Sequence, residues 1–410
     1  MGHIEDRWYK TIKLEGGGTQ RVRTARYGTG MRYRVRYIAP DGQERSESFP
    51  DRAKKAAENF LSDVEADKRR GTYIDPAAGR KPFDEFAEAW LRTHSFDESS
   101  RESTEIRVRK HIIPFFGKGP ISGIRPSTIR EWDSQLVGVL AVATRSVAFS
   151  HLSAILTAAV DDGLIVKNPC SAKSVTQPQP IARKVVPWRI ETVAAIRAGL
   201  APRYRPLVDI GAGCGARQGE ILGVSPDDFD FEGGWLHIRR QVKRVRSRLV
   251  FGLPKNDKER QTPLPDAVAA VIRTYYDDFA PITVTLPWED PFRGEPTTVR
   301  LVFTTPRRNA INRTTLNNQA WHPALIAAGI EPSRATGMHA LRHLFASALL
   351  DAGESIKAIA EWLGHSDPAF TLRIYTHLMH SSQDRARRAI DDLFGGPAGL
   401  YGPGTAQDAS

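Results

Sequence analysis

From Tyr33 to Tyr37 the chain reads YRVRY, arginines alternating with aromatic and apolar residues. A period of two predicts a strand with Arg34 and Arg36 on one face and Tyr33, Val35 and Tyr37 on the other. Asp41-Gly42 predicts a turn, a second short strand follows through Glu47 to Phe49, and Asp51 can cap a helix running to about Lys68. Residues 1–75 thus read as a small sheet with one helix behind it. Pro, Gly and small residues between Asp75 and Pro82 mark a linker. Beyond it the period lengthens: Phe83, Phe86, Trp90 and Leu91 recur at helical spacing, Ser127 can cap a helix after Pro126, and Val147, Leu152, Ile155, Leu156 and Val160 mark a longer helix ending near Gly163. This predicts a compact helical domain over residues 80–175.

Residues 176–187 carry Pro178, Pro180 and Pro187 with little core-forming pattern, the mark of an exposed connector. Residues 188–394 read as mostly helix with one small sheet, whose strands are Trp235–Val242, Arg248–Leu253 and Arg260–Leu264. Residues 395–410 are rich in Gly and Pro and are expected to be disordered. Ahead of that tail, Asp384 can cap a short helix whose Ile390, Leu393 and Phe394 have little following sequence to cover them, so contact with a second copy is expected there. The fold class is multidomain and mainly α with small β-sheets.

The chain has 410 residues, more than one core organises, and a formal net charge of +11. That excess suits a partner rich in phosphate. It is concentrated: residues 7–36 hold Arg7, Lys10, Lys13, Arg21, Arg23, Arg26, Arg32, Arg34 and Arg36 against the single acid Glu15. Arg101, Arg107, Arg109 and Lys110 form a second group, and Arg183 and Lys184 lie in the connector. Cys170 and Cys214 have no CxxC or Cys/His spacing, so neither a disulfide framework nor a zinc site is expected. The N-terminus is charged where a signal peptide is apolar, and no window is apolar enough to span a bilayer. The expected location is a prokaryotic cytoplasm, in association with the nucleoid and not with a membrane.

Chemistry concentrates toward the C-terminus. In MHALRH, His339 and Arg342 sit three residues apart and share a helix face, presenting a hydrogen-bond donor beside a cationic fork. His339 and His343 could also pair on a metal, but the glutamate of HExxH and a third ligand are missing. In AEWLGHSDPAFTLRIYTHL a helix ends at Gly364, His365 follows, and Tyr375 comes ten residues later. GCGARQGEILGV places Arg217 beside a helix carrying Glu220, which can hold the helix start or orient a neighbour. Lys255 precedes an Asn256-Asp257 turn between two predicted strands, a position read as a hairpin tip.

Arg217, Lys255, His339 with Arg342, His365 and Tyr375, in this order, resemble the catalytic domain of the tyrosine recombinases, the lambda-integrase family. The resemblance covers about residues 188–394 and is most specific in the HxxR helix, the LGH segment and IYTH around Tyr375. Residues 80–175 are similar to the family's core-site-binding domain and residues 1–75 to its arm-site-binding domain. His365 is the common residue where some members have tryptophan, and Gln218 follows the first arginine where many have arginine or threonine.

The resemblance implies a phage-type integrase that cleaves attachment-site DNA through a 3′-phosphotyrosine on Tyr375, leaves a 5′-hydroxyl and passes through a Holliday junction. Arg217 and Arg342 would neutralise the non-bridging oxygens, with His339 and His365 adding donors and Glu220 in support. Lys255 would protonate the departing 5′-oxygen. With that cationic stabilisation and the bond energy kept in phosphotyrosine, neither a metal nor ATP is expected as cofactor. The expected partners are double-stranded DNA at core and arm sites, a homotetramer, an excisionase and a DNA-bending host protein. Arg23, Arg26, Arg32, Arg34, Arg36, Arg107, Arg109, Lys110, Arg183 and Lys184 are the expected DNA contacts. A type IB topoisomerase, a Xer-type resolvase and a non-catalytic DNA-binding regulator are the competing readings, and the basic N-terminal region disfavours the first two.

Overall fold

The computed structural model describes residues 2–14, 17–70, 73, 78–181, 186–255, 258–365, 367–375, 387, 390–392 and 394. The chain divides into two compact units, residues 1–181 and 182–410.

The first unit has two separate hydrophobic cores. Strands β1 (His3–Asp6), β4 (Tyr33–Ile38) and β5 (Glu44–Phe49) form an antiparallel sheet in the order β1-β4-β5, while β2 (Tyr9–Lys13) and β3 (Thr19–Arg23) form a ribbon of their own. Alternation in β4 buries Tyr33, Val35 and Tyr37 against Ala57 and Val64 of helix α1 (Lys54–Arg70). Burial of that apolar face fixes the register, because a slip of one residue would carry Arg34 and Arg36 inward. The sequence pattern missed β1, which is only four residues long, and the ribbon, whose residues are mostly exposed and show no alternation to read. It also misplaced a cap: α1 starts at Lys54, and Asp51 pairs with Arg32 at 2.9 Å instead.

The second core is helical. α2 (Phe83–Thr93) buries Phe83, Phe86, Ala87, Trp90 and Leu91, a stripe at helical spacing. α3 (Glu98–Arg107) runs through a π-helical turn, Val108–Ile112, into the short α4 (Ile113–Phe116). α5 (Pro126–Gln135) and α6 (Val142–Asp161) follow, with Trp132, Leu152 and Ile155 buried. Arg125 occupies the N-cap of α5, with Pro126 in the first turn, so Ser127 lies inside the helix and does not cap it. Val147, read as a core position, is 40% exposed.

In the second unit, α7 (Ile190–Gly199), α8 (Arg205–Gly213) and the short α9 (Gln218–Ile221) precede the β-elements. The predicted strand 235–242 is two strands, β7 (Trp235–Ile238) and β8 (Gln241–Val245), which join different sheets. β7 lies between β6 (Phe229–Asp230) and β10 (Arg260–Pro263), whereas β8 pairs with β9 (Arg248–Gly252). Lys255 therefore does not sit at a hairpin tip: β9 and β10 are not partners, and its loop connects the β8-β9 hairpin to the sheet. Asn256 and Asp257, the expected turn, lie outside the described residues. α10 (Asp266–Asp278) is followed by an unforeseen hairpin, β11 (Ile282–Pro287) with β12 (Pro296–Leu301).

Four helices follow a short α11 (Arg313–Leu316): α12 (His322–Ala327), α13 (His339–Ala352), α14 (Ile356–Leu363) and α15 (Pro368–Tyr375). Ser355 caps α14 by accepting from Ala358 N, and Gly364 ends it at φ 64°, a left-handed conformation that glycine adopts without a Cβ penalty. Phe345, Leu350, Ile359, Leu363 and Tyr375 form a small core joining α13, α14 and α15. Of the expected terminal helix, Arg387, Ile390, Asp391, Asp392 and Phe394 are helical and Ile390 and Phe394 are exposed, while Asp384, Leu393 and residues 395–410 lie outside the described residues. Among the described residues no helix is long and apolar enough to cross a membrane.

Candidate active site

Three arginines from distant parts of the second unit meet at the C-terminal end of α14. Arg260, on β10, donates Nε to the carbonyl of Trp362 at 2.8 Å. Arg342, on α13, donates Nη2 to the next carbonyl, Leu363. Arg217, at the N-cap of α9, donates Nη2 to the third, Gly364, at 3.4 Å. The last carbonyls of a helix have no intrahelical partner and carry partial negative charge, so they attract cations. The left-handed turn at Gly364 completes this end, and a Cβ there would stand 2.9 Å from Arg260 Cδ.

The second anchor is Glu220. Its carboxylate accepts from Arg217 N (2.7 Å), Arg217 Nη1 (2.8 Å), Arg260 Nη1 (2.9 Å) and Arg260 Nη2 (2.7 Å), and the residue is 1% exposed. Burial alone would raise its pKa, but the Arg260 hydrogen bonds and the charges of Arg260 and Arg217 outweigh that and hold it at about 2. Arg342 is 1% exposed and also donates Nη1 to Gly215 O at 2.7 Å. Burial and the charges of Arg217 and Arg260 draw its pKa down to about 9, still above neutral pH, so the guanidinium keeps its charge.

His365 lies beside this cluster, with Nε2 3.1 Å from Arg342 Nη2 and Nδ1 2.7 Å from Thr371 Oγ1. An arginine only donates, so Nε2 is the acceptor and Nδ1 carries the proton toward Thr371. Burial and the charges of Arg342 and Arg217 push its pKa down to about 3, and burial and His343 push that of His339 down to about 4. Both rings are neutral at neutral pH. Tyr375 is 1% exposed, and its hydroxyl lies 2.6 Å from Nδ1 of His343. Burial raises its pKa to about 12. Lys255 and Lys258 both line an open cleft of about 510 Å³ together with Arg239, Arg260, Glu361 and His365. Among the described residues no three His, Cys, Asp or Glu side chains are placed to share a metal ion.

Residues 190–381 match the sequence model of the phage integrase family, and residues 82–137 match that of the phage integrase N-terminal SAM-like domain, together more than half of the chain. This chain belongs to the phage integrase family. A XerC-like tyrosine recombinase of Caldanaerobacter subterraneus is 29% identical over 58% of the chain, a match that spans 62% of that relative, less than two thirds of its length. The integrase of Mycobacterium phage D29 is 25% identical over 76% of the chain and 79% of its own length. In fold, the chain is similar to the Tn1549 transposon integrase, solved in complex with transposon right end DNA, with a TM-score of 0.64 and 20% identity over 76% of this chain and 98% of that one. The family is that of the tyrosine recombinases, enzymes that cleave and rejoin DNA at specific sites.

In this phage-integrase-family chain, the site residues read from the sequence fall into a joined group and a looser one. Arg217, Glu220, Arg342 and His365 form one hydrogen-bonded cluster, Tyr375 is tied to the same helix as Arg342, and Lys255 lines the cleft that His365 also lines. Arg260, His343 and Thr371 were not singled out for these roles. Arg260 sits in a run of charged residues at a strand start, where nothing in the pattern separates a buried arginine from a solvated one. The sequence offers His343, four residues after His339, only as a metal partner.

The expected DNA contacts differ in availability. Arg23 and Arg26 are exposed, Arg23 lying 4.1 Å over the Tyr27 ring. Arg32 bridges Asp6 and Asp51, Arg36 bridges Glu5 and Glu44, and Arg34 donates to Ser46. Arg107 donates to the carbonyl of Ser103, Arg109 bridges Glu88 and Glu105, and Lys110 is exposed. Arg101 holds the end of α2 through the carbonyls of Leu91 and His94. Arg183 and Lys184 lie outside the described residues.

Glu220 has a pKa depressed from 4.5 to about 2, so its contribution to stability is complete above about pH 4.5 and is lost as pH falls toward about 2. Glu220→Gln is expected to cost on the order of 3 kcal/mol at neutral pH, since it leaves buried guanidinium charge without its counter-ion. In denaturant titrations the gap between variant and wild type should narrow over that acid range. A gap independent of pH would show that packing, not charge, sets the cost.

Proposed function

We propose that this chain recombines DNA at paired attachment sites, with Tyr375 as nucleophile, and so integrates and excises a phage or other mobile element. The observation that supports this most is the gathering of Arg217, Arg342 and His365 at one helix end, with Tyr375 hydrogen-bonded to the helix that carries Arg342. In-line attack on a phosphodiester adds negative charge to its non-bridging oxygens, and two fixed guanidiniums stabilise that charge without reorganising. An incoming phosphate competes with neutral backbone carbonyls for those N–H groups, and hydrogen bonds between two ions are the stronger ones. His339 is assigned as a further donor, and His365 becomes one once its ring changes tautomer, since its Nε2 accepts from Arg342 before the phosphate enters. Since the phosphotyrosine retains the bond energy and the guanidiniums supply the charge, the reading assigns neither metal nor ATP.

Residues 80–175, with Arg107, Arg109 and Lys110, are assigned to the core site, and residues 1–75, with Arg23, Arg26, Arg32, Arg34 and Arg36, to arm sites. Arg183 and Lys184, in the connector that precedes residues 188–394, are assigned as further DNA contacts. Strand exchange between two duplexes needs a nucleophile for every strand cut, hence a homotetramer on DNA. An excisionase and a DNA-bending host protein complete the assembly, which is placed on the nucleoid of a prokaryotic cytoplasm. Lys255 is assigned as general acid, because an alkoxide leaves poorly without a proton and the lysine shares a cleft with His365 and Arg260.

Tyr375→Phe removes the attacking oxygen and keeps the ring. It is expected to bind core-site DNA as wild type does while forming no covalent complex on a nicked suicide duplex; any adduct would place the nucleophile elsewhere. A chain starting at Ala78 should still cleave core-site DNA but fail to integrate, and full integration by that fragment would refute the assignment of arm binding to residues 1–75. For the acid, Lys255→Ala is paired with a substrate bearing a bridging 5′-sulfur, whose thiolate leaves unprotonated. Cleavage of ordinary DNA should collapse while the sulfur substrate is cut. Equal loss on both would refute the role, and sulfur rescue confined to Lys258→Ala would move it to Lys258, which lines the same cleft.

A further inference from the structure

We infer that His343, and not the motif histidine His339, receives the proton of the Tyr375 hydroxyl as that oxygen attacks phosphorus. The inference rests on the recombinase reading above and adds a catalytic residue to it. Nδ1 of His343 lies 2.6 Å from Tyr375 Oη, and the two rings meet edge-on at 61° with centroids 5.7 Å apart. Among the described residues, His339 makes no hydrogen bond to Tyr375; it touches the His343 ring, centroid to centroid at 4.7 Å, and so stands one residue further from the reacting oxygen. The two histidines are four apart on α13 and share its face, which is why either could be mistaken for the other from spacing alone.

The chemistry of the pair fits a proton transfer. Burial holds the tyrosine hydroxyl at a pKa of about 12, so it does not ionise by itself near neutral pH and needs an acceptor in contact during attack. Burial and the Arg342 charge lower the pKa of His343, which keeps the imidazole neutral and its Nδ1 lone pair open to the hydroxyl proton. His343 is half-buried where Tyr375 is fully buried, so the ring has a route to solvent that the tyrosine lacks. The imidazolium formed would sit beside a phosphorane carrying added negative charge, which offsets the repulsion from Arg342.

In the forward step Oη bonds to phosphorus and its proton moves to His343 Nδ1. The P–O5′ bond breaks, and the 5′-oxygen takes a proton from the general acid assigned to Lys255. In religation the 5′-hydroxyl attacks phosphorus and returns its proton to that acid, while the departing Tyr375 oxygen recovers its own proton from Nδ1. No other reactant is required.

The test is single-turnover cleavage of a nicked suicide duplex by the full-length chain, comparing wild type with His343→Asn and His343→Ala. The asparagine amide oxygen falls where Nδ1 was and accepts the same hydrogen bond, but it does not hold a proton at neutral pH. Both variants should bind the duplex as wild type does and form the covalent adduct about 100-fold more slowly or worse. Added imidazole should restore part of the rate to His343→Ala, a rescue that a misfolded or merely repacked variant would not show. Wild-type cleavage by His343→Asn would overturn the inference, since the histidine would then only orient the hydroxyl. Faster cleavage by both variants would also overturn it and make the hydrogen bond a restraint that withholds the tyrosine. Absence of any Tyr375 adduct from wild type would sink the recombinase reading itself and this inference with it.

Discussion

The second unit is organised around one helix end. Three consecutive carbonyls, those of Trp362, Leu363 and Gly364, receive three arginines that start from β10, α13 and the N-cap of α9. Guanidiniums brought this close repel one another, and burial makes the repulsion stronger because the local dielectric is low. Two features offset it: the negative end of the α14 dipole, and the Glu220 carboxylate shared by Arg217 and Arg260. Remove either and the cations have no reason to stay together. The left-handed residue at the helix end must be small, because Arg260 packs against the space a Cβ would fill. A glycine at that position is thus a requirement of the cation cluster as much as of the helix stop.

This arrangement has a consequence for the histidines. Burial, together with the neighbouring positive charges, draws the Arg342 pKa to about 9 and drives those of His365 and His339 far below their usual range, so neither is a cation at neutral pH. The positive charge of the site belongs to the arginines, and the histidines act as neutral hydrogen-bonding groups. Entry of an anion would offset part of the positive charge felt by each of these groups. The site is therefore poised for phosphate by electrostatics that no single residue supplies.

Much of this was legible in the sequence, for reasons that can be named. Helical elements with strong apolar stripes, such as α2, were readable because burial of Phe83, Phe86, Trp90 and Leu91 demands the spacing seen. Arg217, Arg342, His365 and Tyr375 were readable because their motif order carries a resemblance that spacing alone does not. What escaped was anything decided by long-range pairing. The split of residues 235–242 into strands of two sheets depends on partners 252 and 260, not on local pattern. Arg260 and Thr371 matter only through what lies across the fold from them, and a charged residue at a strand start or a threonine within a helix carries no local mark of that. The exposed β2-β3 ribbon escaped for the opposite reason: with no face to bury, it shows no period.

The same physics separates two populations of arginine in the chain. Arg32 and Arg36 on the N-terminal sheet, and Arg109 on the π-helical turn after α3, are also held by carboxylates, but at the surface, where water screens the pair and solvates both partners when they part. Exchanging such a carboxylate for a phosphate would replace one screened ion pair with another, so these pairs would oppose an anionic partner only weakly. Arg217 and Arg260 cannot exchange Glu220 in that way, because a carboxylate 1% exposed has no water to turn to. Glu220 is accordingly a fixed part of the site, and a phosphate can approach only the donors that the carboxylate leaves over. The surface ion pairs leave their arginines exchangeable, whereas the buried one fixes Arg217 and Arg260 in place.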